Sequence, residues 1–210
     1  MKISGIGTRR AAAAAAVALT AVTGVVAVGS GDANAGRLPN GHTKAVGIDG
    51  QVVNISRSNE SSRVMPSMAA NGAGRAAAVS GVYKATLSKG AGIMTVGYLI
   101  GCQVNLGSLS TSLGGTISLT GATLSGGLSL PLAPGQVVFA KSDAMKITKG
   151  KATIMIDSLA INVESCGGQA SARSLVQVTA AEGYDAKDKV LSGNSGYVQA
   201  NLYGRPFSLG

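Results

Sequence analysis

The sequence predicts an all-β protein, a β-sandwich protomer that carries one long extended hairpin. Apolar and small or hydroxylated residues alternate with a period of two along many short stretches, which is the spacing of a strand. Gly is abundant, at 31 of 210 residues, and with Pro, Asn and Ser it parts those stretches at the intervals of a sandwich. Between Lys89 and Lys141 the 51 residues from Gly90 to Ala140 carry no charged side chain. An ordinary water-facing surface is not built that way.

The chain opens with Lys2, Arg9 and Arg10, an apolar run from Ala11 to Val28, and the small-x-small pattern Ala33-Asn34-Ala35. This is the layout of a secretory leader, so residues 1–35 are expected to be removed and residues 36–210 to form the mature domain. A retained anchor is the alternative. Cleavage leaves 175 residues with 15 basic and 8 acidic side chains, a net charge of +7. That length suits one domain with its own core. The two cysteines, Cys102 and Cys166, lie far apart in an exported chain and are expected to form a disulfide, with two buried thiols as the alternative.

From Gly36 to about Gly50 turn formers dominate and a mobile lead-in is expected, with order starting near Asp49. Gln51–Ser56 alternates as a first strand, and Ser58–Gly74 reads as a long loop. Arg75–Val82 is ambiguous, Val82–Leu87 is a strand, Lys89–Gly92 a turn, and Ile93–Val104 a strand apolar on both faces. Asn105–Leu132 reads as the long hairpin, turning at Gly114-Gly115 or Thr120-Gly121. Arms of about 11 to 14 residues would reach roughly 36–46 Å, enough to cross a hydrocarbon core when tilted. The stretch Ala122–Leu132 fits a barrel wall between lipid and water, and it equally fits half of a soluble sandwich. Further strands are expected at Gln136–Lys141, Ala152–Ile156, Leu159–Glu164, Ala172–Thr179 and Gly196–Tyr203.

The residues give little support to catalysis. His42, the single histidine, falls in the expected lead-in, and the acidic residues are scattered apart from Asp185, Asp188 and those close to them, in a Lys-bearing turn. Two Cys and one His do not make a zinc set, and no metal or cofactor is expected. Gly114-Gly115 and Gly126-Gly127 lack the Lys-Ser/Thr of a phosphate loop. Lys141, Lys146, Lys149 and Lys151, with Asp143 among them, read as a solvated loop. An anionic envelope polymer or lipid head group is the functional alternative there, and nucleic acid is not an expected partner of an exported chain.

Several landmarks resemble the MspA family of outer-membrane porins from mycolic-acid bacteria. They are Asp49-Gly50-Gln51, Gly97-Tyr98-Leu99-Ile100-Gly101-Cys102, Leu132-Ala133-Pro134-Gly135, Ser165-Cys166-Gly167-Gly168-Gln169 with Ala172-Arg173-Ser174, and Tyr203-Gly204-Arg205-Pro206-Phe207. The resemblance covers most of the mature chain. It implies a sandwich protomer donating its hairpin to a transmembrane β-barrel shared by a ring of subunits, eight in the family, that passes small hydrophilic solutes. Thr116, Ser118, Thr120, Thr123, Ser125 and Ser129 would then line the pore, and Ala122, Leu124, Leu128, Leu130 and Leu132 would face lipid. The implied partners are further copies of the chain or a paralogue, membrane lipid and polar solutes, and the implied location is the outer membrane or cell envelope. The hairpin is shorter than in the best-known members and lacks the aspartates of their acidic constriction, so cation selectivity is not implied, and it carries no aromatic residue for a girdle at either membrane interface. A secreted β-sandwich that binds a ligand or builds the envelope without forming a pore is the reading from a different class.

Overall fold

The computed structural model describes residues 36–68, 74–103, 122–123, 128–131, 136–183, 185–187, 190–192 and 196–210. Among the described residues all regular elements are strands: β1 (Gly36–Arg37), β2 (Gly41–Val46), β3 (Val52–Met65), β4 (Arg75–Leu87), β5 (Ala91–Cys102), β6 (Ala122–Thr123), β7 (Leu128–Pro131), β8 (Val137–Lys141), β9 (Met145–Lys146), β10 (Lys151–Glu164), β11 (Ala170–Ala181), β12 (Asp185–Lys187), β13 (Val190–Ser192), β14 (Val198–Tyr203) and β15 (Phe207–Ser208). They form a sandwich of two sheets, with β12 and β13 paired beside it.

The first sheet runs β1/β2, β3, β4, β10, β7, and the second runs β14/β15, β11, β5, β8/β9, β6. In each sheet two short strands share one edge. Gly41–Val46 pairs with the first half of β3 and Gly36–Arg37 with the second, while β14 and β15 divide β11 in the same way. Inward residues alternate as a half-buried strand requires: Met94, Val96, Tyr98, Ile100 and Cys102 on β5 face the same way as Val178, Val176, Ser174, Ala172 and Ala170, their register partners on β11.

The core falls into two clusters. One gathers Tyr98, Ile100, Ile161, Val163, Phe207, Leu209 and the cysteines, and the other gathers Val53, Ile55, Tyr83, Met94, Val96 and Val178. What separates them is a pair of β-bulges flanking the same point on β4. Residues 59 and 60 of β3 oppose Gly81, and residues 157 and 158 of β10 oppose Ser80. Asn59 and Ser158 take positive φ there, 53° and 50°, and the Ser158 amide donates to Ser80 Oγ at 2.9 Å. Gly81 has no side chain because the Tyr83 ring lies over it, and a Cβ would stand 2.8 Å from that hydroxyl.

The β3 bulge turns Glu60 inward, where it is 1% exposed and paired with Arg57, itself 5% exposed. Tyr83 donates to Glu60 Oε1 at 3.2 Å, and its oxygen lies 2.9 Å from the Tyr98 hydroxyl. One proton per hydroxyl fixes the direction: Tyr98 donates to Tyr83, which donates to Glu60. The chain therefore crosses from the first sheet to the second between the two clusters, and the Tyr98 ring continues to Phe207, edge-on at 6.3 Å.

Several expectations are corrected. The lead-in is not mobile coil: β1 and β2 bring order from Gly36, and His42 sits exposed on β2. The expected loop at Ser58–Gly74 is strand as far as Met65, because the inward positions Arg57, Glu60 and Ser62 are polar and hide the strand period. Arg75–Val82 is strand. The strands expected at 152–156 and 159–164 are one strand, β10, bent by its bulge. Asp185 belongs to the short β12–β13 ladder, where it pairs with Lys187.

Removing one member of the buried chain leaves a charge uncompensated. Glu60→Gln is expected to destabilise by about 3–5 kcal/mol, whereas Arg57→Met with Glu60→Leu recovers most of that loss, as read by urea denaturation. Burial, together with neighbouring Tyr98 and Glu60, raises the Tyr83 pKa, and burial raises that of Tyr98. A raised folded-state pKa gives stability that is complete below the unfolded tyrosine pKa of about 10 and declines as pH rises above it. Tyr83→Phe is expected to flatten that alkaline decline, measured as melting temperature against pH.

Candidate functional site

The long uncharged segment of the sequence is flanked by β5 and β8. These strands are antiparallel neighbours, with Gly101 opposite Val137 and Gly97 opposite Lys141. The strands that flank the uncharged residues 104–135 therefore lie side by side and run in opposite directions, the arrangement expected at the base of a hairpin. Sequence explains how tightly that base is built. A Cβ on Gly97 would lie 2.2 Å from the Ala140 carbonyl oxygen, so only glycine lets β8 approach this closely.

Cys102 and Cys166 form a disulfide with Cα atoms 5.9 Å apart. Cys166 is wholly buried in the turn between β10 and β11, which reverses through Ser165 at φ 56°. The Gln103 amide donates to the Gln169 carbonyl at 3.0 Å, and Cys102 pairs with Ala170 in the β5–β11 ladder. One covalent bond thus ties the exit strand to the crossover between the sheets. Four residues earlier on the same strand, Tyr98 is held by the buried polar chain.

Other landmarks in the sequence take structural roles. Tyr203 supports the Arg173 guanidinium at 4.7 Å from its ring centre, and Phe207 packs on Tyr98. Gln51 is buried and donates to the Lys89 carbonyl, joining the β2–β3 turn to the β4–β5 turn. None of these roles for single side chains was foreseeable from one sequence, because each depends on a distant partner.

Thr116, Ser118, Thr120, Leu124, Ser125 and Leu132 lie outside the described residues. Ala122 and Thr123 form β6, which pairs in parallel with Ala140 and Lys141 of β8. Leu128, Ser129 and Leu130 lie in β7, parallel to Ile161–Val163 of β10. In the single protomer these pieces of the uncharged segment extend the two sheet edges. Among the described residues no group of three or more His, Cys, Asp or Glu side chains is placed to hold a metal ion. No helix among them is long and apolar enough to cross a membrane, which does not bear on strands.

Fold and site together define a β-sandwich protomer in which a disulfide fixes the strand that precedes the long uncharged segment of the sequence. The MspA family model matches residues 49–208, and the chain belongs to the MspA family, the porin family its motifs resemble. A comparison with curated proteins found no match.

The clamp closes a loop of 64 residues in sequence separation. The double replacement Cys102→Ala with Cys166→Ala is expected to cost about 4 kcal/mol on the chain-entropy account, read as a lower urea midpoint than that of the oxidised protein.

Proposed function

We propose that this protein is the subunit of an oligomeric channel through which small hydrophilic solutes diffuse passively across a mycolic-acid outer membrane. The observation that carries the reading is that the long uncharged segment, residues 104–135, is flanked by neighbouring antiparallel strands, β5 and β8. Family membership supports it. Two arms cannot close a barrel, and unpaired backbone polar groups are not tolerated in hydrocarbon, so neighbouring subunits must complete the ladder. Eight copies would contribute about sixteen strands. The other copies are those of this chain or of a paralogue. Ser and Thr side chains line the lumen, Leu side chains meet lipid, and no catalytic residue takes part. The leader, residues 1–35, directs export and is removed after Ala35.

Barrel closure requires β6 and β7 to leave the sheet edges, since the returning arm continues directly into β8 and cannot also lie beside it. The outer face of the second sheet supports an oligomer: Val137 and Tyr203 are exposed beside half-buried Leu99 and Phe139. A secreted, non-channel sandwich is the second reading. It is favoured by the placement of β6 and β7, which needs neither lipid nor a neighbour.

Detergent-extracted mature protein in a planar bilayer separates the two. Stepwise ohmic openings from a high-mass oligomer are expected, with weak ion selectivity. A silent monomer that stays silent with co-expressed paralogues would overturn the channel. Ser125→Asp is then expected to change ion preference mildly, while Leu128→Asp, which puts a carboxylate on the lipid face, should impair assembly. Equal behaviour of the two variants would refute the assigned facing.

A further inference from the structure

The two split edges meet a groove of about 410 Å³ lined by Arg37, Leu38, Pro39, Asn40, Asn59 and Arg205. Leu38–Asn40 is the break between β1 and β2, and Arg205 lies in the break between β14 and β15. The groove thus sits between one edge of each sheet, beside the β3 bulge. We propose that it is a binding site for a tetrahedral phosphate group, either free or as a phosphoester.

The argument rests on which polar groups the bulge sends where. Asn59 and Glu60 are consecutive, and the extra residue directs the Glu60 carboxylate inward to Arg57 and Tyr83 while Asn59 stays exposed at the groove. No carboxylate lines it. Asn40 Oδ1 accepts from the Asn59 amide, which leaves the Asn40 side-chain NH₂ as a donor. Neither Arg37 nor Arg205 has an acidic partner among the described residues. Behind them Arg57 packs over Gly41, the residue after Asn40, with its buried Nε lacking a hydrogen-bond partner. Two planar guanidiniums and an amide donor over a Leu-Pro wall match an oxyanion that accepts several charge-assisted hydrogen bonds. Leader removal after Ala35 would add the Gly36 ammonium next to Arg37. This site is independent of the hairpin, so it stands or falls apart from the channel reading.

The test is calorimetric titration of the processed protein with inorganic phosphate at low ionic strength. Saturable binding is expected at a Kd of about 1 mM, weakened about tenfold or more in Arg37→Gln/Arg205→Gln. Lys44→Gln/Lys84→Gln removes the same charge from the outer face of the first sheet and is expected to leave the affinity unchanged. Equal weakening in both variants, or equal competition by chloride, would reduce the effect to net charge and overturn the site. Vesicles containing phosphatidylglycerol distinguish the sources. Tighter Arg-dependent binding to vesicles than to phosphate assigns a lipid phosphoester, and the reverse assigns a soluble anion. No Arg-dependent binding to either refutes the proposal.

Discussion

The buried chain from Arg57 through Glu60 and Tyr83 to Tyr98 is the constraint on which the rest of the sandwich depends. It lies where two bulges on opposite sides of β4 interrupt the first sheet, and it fills the gap between the core clusters with polar contact instead of apolar packing. Such a chain is expensive to desolvate and repays that cost only when its members are paired. Its geometry therefore specifies the arrangement. The bulge must place Glu60 inward, Gly81 must leave room for the Tyr83 ring, and β5 must present Tyr98 opposite, which sets the register of one sheet against the other.

That register is passed to the excursion. Strand β5 carries both Tyr98, tied to the first sheet, and Cys102, tied to the β10–β11 crossover. The strand that precedes residues 104–135 is thus fixed at two points, two periods of side-chain alternation apart on the same face. Every charged side chain of the mature chain lies outside Gly90–Ala140.

Legibility in the sequence followed the inward-facing residues. Where these are apolar, as on β5 and β11, the period of two shows and the strands are read correctly. Where they are small, as Gly41, Thr43 and Ala45 on β2, or polar, as Arg57, Glu60 and Ser62 on β3, the period vanishes and strand is mistaken for coil. The split of β10 into two expected strands marks its bulge, a real interruption without a chain reversal. The disulfide was readable from compartment and count alone. The polar chain was not, because Tyr83 and Tyr98 look like ordinary strand residues until the sheets are stacked. The base of the candidate site was legible through the resemblance of its Gly-Tyr-x-Ile-Gly-Cys and Cys-Gly-Gly motifs to the MspA family, while the facing proposed for residues 116–132 rests on alternation alone.

Edges complete the argument. Split strands blunt one edge of each sheet, and β6 and β7 cover the opposite edges at β8 and β10. Uncovered, those edges would offer unpaired backbone groups to any strand that arrived. In a channel, withdrawing β6 and β7 into a barrel would bare both edges at the moment the arms themselves lose their pairing. Each change raises the free energy of a lone protomer, and each is relieved by a neighbour: the arms by the adjacent arms, the edges by contact between bodies. Insertion and association are then coupled. On the proposed channel reading a lone subunit would keep β6 and β7 against its own sheets, and only a ring would make releasing them favourable.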